Sequence, residues 1–405
     1  MQKRDLFQSG KGGYATYRIP GIVATETGAL LAFCEARKSP QGDWGTSDIH
    51  MRRSRDGRSR WSKRREIVNS EHFDVDSNPA APRKGLSENE GRTVHNPVPI
   101  ADKETDEVHL LCCVEYAHCF YMRSDDKGKS FTEPCEITQA FEELRADYDW
   151  KVMATGPGHG VQLRSGRLVV PVWLSSGEGL HAHHPSVVST IYSDDHGCTW
   201  HCGDIALRHG AETQQGSLER SRTHTLVNPS EAAVVQLRDG RVMLNVRNES
   251  PPNRRVVTYS SDGTTGWSVP AFDGELFDPV CSASLVRLTE QPDYSKDRIL
   301  FANPDSRSEP AAFEGSAKRA RRNLTLKLSY DEGSSWPVAK VVDSGISGYS
   351  DITVGPEKTI YCLYERGGFD GNMYETWTEY LTLAQLDIVE LTGGKDCLQR
   401  SRADG

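Results

Sequence analysis

The sequence predicts an all-β protein, and more specifically a six-bladed β-propeller. Three observations lead to this fold class. An octapeptide recurs along the chain, short strand-like segments with turn residues lie between its copies, and no long segment has the 3.6-residue apolar period of a helix. The 405 residues include 36 glycines and 20 prolines, which fits many short strands joined by turns.

The recurring octapeptide reads Ser-x-Asp-x-Gly-x-x-Trp, and we call it the Asp-box. Its copies are SRDGRSRW (54–61), SDDKGKSF (124–131), SDDHGCTW (193–200), SSDGTTGW (260–267) and SYDEGSSW (329–336). The first and fourth copies lack the glycine at the fifth place, and the second ends in Phe. We expect each box to be a turn in which the carboxylate accepts backbone N–H groups and the aromatic residue packs underneath.

The spacing of the boxes sets the number of blades. The copies start at residues 54, 124, 193, 260 and 329, which are 70, 69, 67 and 69 residues apart. A chain of this length holds about six such units, and a four-stranded blade fills one unit. Because no linker divides the chain, we expect a single domain over residues 1–390, closed by pairing of segment 380–389 with N-terminal residues. Residues 391–405 are predicted to form a polar C-terminal tail.

Charge and composition exclude several classes of partner. The formal net charge of −9 makes the chain a poor binder of nucleic acid or anionic membranes. No apolar run approaches the ~20 residues of a transmembrane helix. The ten cysteines do not show zinc-site spacing, so we expect scattered thiols. QKRDLFQSG after Met1 has no apolar core, so we expect no signal peptide and either a cytoplasmic protein or a mature secreted or periplasmic form.

One predicted hairpin suggests an anion-binding site. If Thr27-Gly28 is a two-residue turn, Arg18 lies directly opposite Arg37. Like charges in that arrangement repel each other. The pairing therefore predicts that an anion or a carboxylate lies between the two guanidinium groups.

Two further hairpins carry polar side chains at their open ends. Their predicted turns are Asp239-Gly240 and residues 355–358, and in a propeller the open ends converge on one axial funnel. The residues at these ends are Ala232 opposite Arg247, beside Glu231, and Tyr349 opposite Tyr364, beside Glu365.

Taken together, these motifs resemble those of the exo-α-sialidases, which are also called neuraminidases. The resemblance rests on YRIP (17–20) followed by five Asp-boxes and covers nearly the whole chain. It includes LLAFCEARK (30–38), NPSEAAVV (228–235), VMLNVRNES (242–250), RRNLTLKLSYDEGSSW (321–336), SGYSDITV (347–354) and CLYE (362–365). It implies the sialidase-like six-bladed propeller already predicted from the spacing.

The resemblance also implies a set of site residues. The arginines that bind the substrate carboxylate correspond to Arg18, Arg247 and Arg321 or Arg322, with Arg321 preferred because it lies two residues before Asn323. The nucleophile corresponds to Tyr349, its partner to Glu231 and the acid/base residue to Asp43, with Asp48 as a competitor. Arg37 matches an additional arginine near that aspartate, and Glu365 matches the glutamate that orients the first arginine.

These residue types suit the chemistry of sialic acid. Arginine recognises a planar carboxylate through two parallel hydrogen bonds. A tyrosine nucleophile avoids the repulsion that a carboxylate would meet from the acid of the substrate, and sialidases use tyrosine for this reason. Glu231 would accept the proton of Tyr349, while Asp43 would protonate the leaving oxygen and later activate water.

The predicted function is therefore a retaining exo-α-sialidase acting on sialylated glycans or glycoconjugates, without a cofactor. Three alternatives remain at this stage: a non-hydrolytic sialic-acid-binding lectin, a trans-sialidase, and a hydrolase of deaminated sialic acid. The histidines His181, His183 and His184 lack carboxylates at ligand spacing, so no metal is expected there. His183 or Trp173 is instead expected to border the pocket.

Overall fold

In the computed structural model, almost all of the regular secondary structure is β-strand, which confirms the all-β class. It describes residues 1–40, 42–57, 60–80, 91–178, 182–214, 225–307, 320–367 and 378–401. The helical segments in these ranges are two 3-10 turns, Ser70–His72 and Thr138–Ala146, and the short α1, Ile388–Thr392. None of these helices is long and apolar enough to cross a membrane.

The strands of the described ranges form five antiparallel sheets. Three sheets have four strands each: β2 (Thr16–Ala24), β3 (Leu30–Arg37), β4 (Ser47–Ser54) and β5 (Arg65–Val68); β6 (Val94–Ala101), β7 (Val108–Val114), β8 (His118–Ser124) and β9 (Cys135–Glu136); and β16 (Ala232–Gln236), β17 (Val242–Val246), β18 (Arg254–Ser260) and β19 (Ala271–Phe277). A sheet of six strands contains β10 (Val152–Thr155), β11 (Val161–Gln162), β12 (Leu168–Glu178), β13 (His184–Ser193), β14 (His201–Cys202) and β15 (Leu207–Arg208). A sheet of seven strands contains β1 (Gln2–Gln8), β20 (Ser284–Thr289), β21 (Arg298–Pro304), β22 (Arg322–Ser329), β23 (Val338–Val354), β24 (Ile360–Gly367) and β25 (Thr378–Leu386).

The five sheets differ from the six separate blades predicted from the box spacing. The reason is β23, a continuous strand of 17 residues. Its first part pairs with β22, up to Ile346 opposite Arg322, and its second part pairs with β24 from Ser347 onward. Strands that the repeat assigns to two blades are therefore hydrogen-bonded into one sheet.

The sheets are arranged as propeller-like blades whose hydrophobic cores lie between neighbours. One cluster joins Leu31 and Phe33 of β3 to Val108 and Leu110 of β7. Further hydrophobic clusters join each later sheet to the next one along the chain. A cluster that includes Leu30 of β3 joins the first sheet to the last. Strand β1 pairs with β25, which confirms the predicted closure by N-terminal residues.

The second to fifth Asp-boxes form the predicted turns, and residues 58 and 59 of the first box lie outside the described residues. In the second box Asp126 accepts the N–H groups of Lys129 at 2.8 Å and Ser130 at 2.9 Å. The box glycine Gly128 has φ +78°, and a Cβ there would meet Leu31 of the neighbouring sheet at 2.2 Å, so glycine is required for both reasons. The fourth box forms a similar turn although its glycine follows Asp262 directly.

The predicted hairpin registers are wrong by at least one residue. The structure pairs Thr16 with Arg37, Ala232 with Val246, and Ser350 with Tyr364. The cause is the same in each hairpin: the loop has three residues, and the third residue has positive φ. These loops are residues 26–28, 238–240 and 356–358, ending in Gly28 (φ +92°), Gly240 (φ +95°) and Lys358 (φ +60°).

The first hairpin also contains a bulge between Arg18 and Gly21, so that Arg18 pairs with Glu35. The predicted opposition of Arg18 and Arg37 is therefore wrong. The three hairpins nevertheless present their polar residues at the open ends, as predicted.

The segment predicted as a C-terminal tail is partly folded onto the last sheets. Leu391 and Thr392 are buried residues of α1, and Asp396 is buried as well. Both oxygens of Asp396 accept hydrogen bonds from the fully buried Arg298 of β21 at 2.8 Å. A polar segment is thus tied down by an ion pair that the composition of the segment does not reveal.

Candidate active site

Tyr349, Glu231 and Arg247 form a largely buried cluster. Glu231 directly precedes β16, Arg247 directly follows β17, and Tyr349 is in β23. The Tyr349 hydroxyl donates a very short hydrogen bond to Glu231 Oε1. Arg247 Nη1 lies 2.5 Å from Glu231 Oε2 and 2.7 Å from the Tyr349 oxygen. Each of the three side chains therefore contacts the other two.

The carboxylate of Glu365 in β24 accepts hydrogen bonds that hold Arg18 and the backbone of Tyr349 in position. Arg18 donates to its carboxylate at 3.1 Å and 3.3 Å. The backbone N–H groups of Ile19 and Tyr349 donate to the same carboxylate at 3.0 Å and 3.1 Å. Ile19 has φ +55°, the centre of the bulge that turns this N–H toward Glu365.

Asp43 lies on the loop between β3 and β4, as the resemblance implied. Its Oδ1 is 3.2 Å from Nη1 of Arg37 and 3.8 Å from Nη1 of Arg18. Arg37 is itself fixed by two contacts of 2.7 Å with the buried carboxylate of Glu35. The competitor, Asp48, is buried within β4 and does not share these contacts.

Arg321 lies against the ring of Tyr349, with 5.5 Å between its guanidinium carbon and the ring centroid. Arg18 lies at 5.4 Å from the same centroid. Arg321 also donates to the carbonyl oxygen of Val280. The side chain of Arg321 therefore contacts the cluster, as preferred from the sequence, and Arg322 begins β22, where its backbone pairs with Ile346.

Burial and charge set the ionisation of the central groups. Burial raises the pKa of the Tyr349 hydroxyl well above its usual range; Arg247 and Arg321 act in the opposite direction, and Glu231 acts with burial. Burial also acts to raise the pKa of Asp43, but the positive charges of Arg37 and Arg18 outweigh it and hold that pKa well below its usual range. Tyr349 is thus a neutral phenol and Asp43 a carboxylate at neutral pH.

An aromatic wall borders Asp43. His183 packs 5.1 Å from Trp173 and 5.2 Å from Tyr116, measured between ring centroids, and Trp44 lies 4.3 Å from Tyr116. Burial lowers the pKa of His183 to about 4, and Asp43 opposes that shift. The expectation that His183 or Trp173 borders the pocket agrees with this packing.

His184, the last histidine of HAHHP, lies 3.1 Å from the carboxylate of Glu249 instead. The first histidine, His181, falls outside the described residues. The sequence analysis missed two members of the site: Tyr116, and Glu35, the buried partner of Arg37. Glu35 lies within the quoted LLAFCEARK segment, where an acidic residue among apolar neighbours was an available signal.

The structure brings the predicted site residues together at one end of the sheets. Contacts connect Asp43 to Arg37 and Arg18, Arg18 to Glu365, and Glu365 to the backbone of Tyr349. The remaining members, Glu231, Arg247 and Arg321, contact Tyr349 directly.

Comparison with known proteins gives the same picture. The chain is 27% identical over 392 residues to a sialidase of Micromonospora viridifaciens, covering 90% of this chain and 52% of that protein. It is 26% identical over 419 residues to Sialidase-3 of Mus musculus, covering 91% of both. Its fold matches the Hadza microbial sialidase Hz136 with a TM-score of 0.73 at 25% identity, covering 96% of this chain and 69% of that one.

The chain spans about half the length of the Micromonospora relative, so these matches concern the region shared by the two proteins. The relatives confirm the resemblance to sialidases inferred from YRIP and the Asp-boxes. The profile of the BNR repeat-like domain matches residues 28–362, which is most of the sequence. This chain therefore belongs to the BNR repeat-like domain family.

Proposed function

We propose that this protein is a retaining exo-α-sialidase that removes terminal sialic acid from glycoconjugates through a tyrosyl-enzyme intermediate. The observation that carries the proposal is the contact between Tyr349, Glu231 and Arg247, with Asp43 on a separate loop linked to them through Arg18 and Glu365. This arrangement supplies a nucleophile with a base and a separate acid.

Arg18, Arg247 and Arg321 bind the substrate carboxylate in this proposal. All three guanidinium groups surround Tyr349. Arginine recognises a planar carboxylate through two parallel hydrogen bonds, so three guanidinium groups around one point suit the acid of the substrate.

Glu231 activates Tyr349. Because burial raises the pKa of the phenol, free phenolate is scarce, and proton transfer to Glu231 must accompany attack. The phenolic oxygen forms a bond to the anomeric carbon as the glycosidic bond breaks, and the guanidinium groups of Arg247 and Arg321 stabilise the developing negative charge on that oxygen.

Asp43 donates a proton to the leaving oxygen and afterwards takes one from the water that attacks the anomeric carbon, while Glu231 returns its proton to the departing oxygen of Tyr349. Arg18 and Arg37 keep Asp43 ionised in the free protein. When Arg18 pairs with the substrate carboxylate, its hold on Asp43 weakens, which favours the protonated acid that the first step needs.

We further propose that the five sheets correspond to six blades in one domain over residues 1–390. The 17-residue β23 supports this proposal, because its two halves pair with different neighbours. Division of β23 at residue 346 leaves β20, β21 and β22 with its first half, and β24, β25 and β1 with its second half, so each group has four strands.

The test is a fluorogenic aryl sialoside assay combined with a proton NMR time course. We expect turnover, with the α-anomer of sialic acid appearing first because two displacements retain configuration. The β-anomer appearing first would contradict the mechanism. Binding of sialic acid without any turnover would favour a lectin, and sialic acid transferred to an added galactoside in preference to water would favour a trans-sialidase.

A further inference from the structure

A second cluster of metal-ligating side chains lies outside the proposed active site. Asp48 and His50 are two residues apart on β4 and therefore point to the same face of the sheet. Glu66 on β5 is the direct register partner of His50. One ligand atom from each of the three side chains lies within 4.8 Å of the other two.

His50 is a buried imidazole without a hydrogen bond. Its exposed fraction is 2%, and neither of its ring nitrogens has a hydrogen-bond partner among the residues that the structure describes. Nε2 lies 3.9 Å from Oε2 of Glu66, which is too far for a hydrogen bond. Buried polar atoms are nearly always satisfied, so an unsatisfied imidazole aimed at a carboxylate calls for a ligand between the two.

The carboxylates of Asp48 and Glu66 are already oriented toward the space beside His50. Asp48 accepts a hydrogen bond from the hydroxyl of Tyr14 at 2.6 Å and another from the backbone N–H of Ser70 at 2.7 Å. The Tyr14 hydroxyl also lies 3.3 Å from Glu66. Each carboxylate oxygen keeps a further lone pair, and such outer hydrogen bonds are those that orient ligands in metal sites.

We propose that Asp48, His50 and Glu66 bind a divalent cation of the zinc type. One imidazole nitrogen and two carboxylate oxygens are ligands that Zn²⁺ accepts, with a fourth position open to water. Metal–ligand distances near 2.1 Å require Glu66 and His50 to approach each other. Glu66 can move because its side chain is 40% exposed.

The charges around the site permit a bound divalent cation. Two cations lie near the two carboxylates: Lys38 Nζ is 3.9 Å and the guanidinium carbon of Arg64 is 5.5 Å from the ring centroid of Tyr14. Lys38 therefore weakens metal binding without cancelling it, which makes this residue useful for a test. The site is also close to the proposed acid, because Asp48 lies near the start of β4, directly after the loop that carries Asp43. A bound metal would fix the end of that loop.

The experiment is equilibrium dialysis of the full chain against Zn²⁺, with metal content measured by mass spectrometry. We expect one zinc ion per chain. His50→Gln and Glu66→Gln should each weaken binding by at least about tenfold, since even residues behind a metal ligand change affinity by this factor. His118→Gln is the matched control, because His118 also pairs with a carboxylate, Glu136, at 2.8 Å but is not part of a cluster of three metal-ligating side chains in the described part of the chain.

Lys38→Gln should strengthen zinc binding, because it removes a nearby positive charge. Zn²⁺ should also raise the melting temperature of the unaltered protein and not that of Glu66→Gln. The Glu66 variant keeps the test decisive if His50→Gln fails to fold, since Glu66 is partly exposed. The proposal is overturned if no zinc binds, if zinc binds equally to the Glu66 variant, or if Ca²⁺ binds more tightly than Zn²⁺. None of these results depends on sialidase activity.

Discussion

The two halves of the proposed active site are built differently. Tyr349 lies within β23 and Glu231 directly before β16; they are 7% and 9% exposed, and their hydrogen bonds to Arg247 hold both side chains in place. Asp43 lies on a loop, its side chain is 48% exposed, and it contacts the guanidinium groups of Arg18 and Arg37.

This difference in burial suits the different roles proposed for Tyr349, the nucleophile, and Asp43, the acid/base residue. A nucleophile must be held in one position against the anomeric carbon, which favours a buried group on rigid strands. An acid that also activates water must be reached by both the leaving group and solvent, which favours an exposed loop. We therefore expect substitutions in the buried half to reduce activity with every substrate, and those on the loop to act selectively.

The largest effect is expected for Tyr349→Phe, which removes the attacking oxygen and keeps the ring. We expect kcat to fall by about 10⁶-fold, the order of loss found when a nucleophilic serine is removed from a hydrolase. Binding of sialic acid should persist because the three arginines remain. Steady-state kinetics with an aryl sialoside and calorimetric binding to the variant measure both quantities; retained turnover would show that Tyr349 is not the nucleophile.

Arg247→Ala is expected to be next. It removes a guanidinium group from a desolvated cluster and leaves Glu231 without its closest cation, a loss of about 2–5 kcal/mol in transition-state binding. The ratio kcat/KM with the same substrate measures it. The control is Arg241→Ala, whose exposed side chain pairs with Asp239 at 2.7 Å and which should retain full activity. Equal kinetics for the two variants would contradict the proposed carboxylate site.

Asp43→Asn separates the loop from the buried half. It should reduce cleavage of natural sialosides by about 10²–10⁴-fold, the usual contribution of a general acid. Aryl sialosides with good leaving groups need little protonation and should be affected much less. The measurement is kcat/KM across a series of leaving groups, and a uniform reduction across the series would rule out Asp43 as the acid.

Arg37→Gln tests the electrostatic control of the loop. Arg37 is one of the two arginines that hold the pKa of Asp43 down, so its removal raises that pKa. Asp43 then stays protonated to a higher pH, and the alkaline limb of the kcat/KM profile should move upward. Arg37→Lys keeps the charge and should move the limb less. A shift to lower pH in the glutamine variant would reverse the assigned role.

The smallest effect on activity is expected from the Asp-boxes. Asp331 accepts the N–H of Ser335 at 2.8 Å and also bonds its hydroxyl, so Asp331→Ala should cost about 1–3 kcal/mol of folding free energy. Activity of the folded variant should be unchanged because the box is a turn remote from Tyr349. Urea unfolding and kcat measured on the same sample check both; a loss of kcat would show that the boxes affect the site.

Local chemistry could be predicted from the sequence better than geometry. The repeated Asp-box predicted the turns, and motif positions led to Tyr349, Glu231 and Asp43. The strand register could not be obtained in this way, because it depends on whether a loop has two, three or four residues, and the left-handed conformation of Lys358 has no marker in the sequence. The number of sheets was missed because a single strand, β23, continues through both parts of the last sheet.

The central claim is that Tyr349 forms the covalent intermediate. The most direct measurement is incubation with a 2,3-difluoro sialic acid, whose fluorine atoms slow the breakdown of a glycosyl-enzyme, followed by peptide mapping by mass spectrometry. We predict one adduct per chain on Tyr349, and none in Tyr349→Phe. An adduct on Glu231 or Asp43, or an adduct that persists in the phenylalanine variant, would contradict the account.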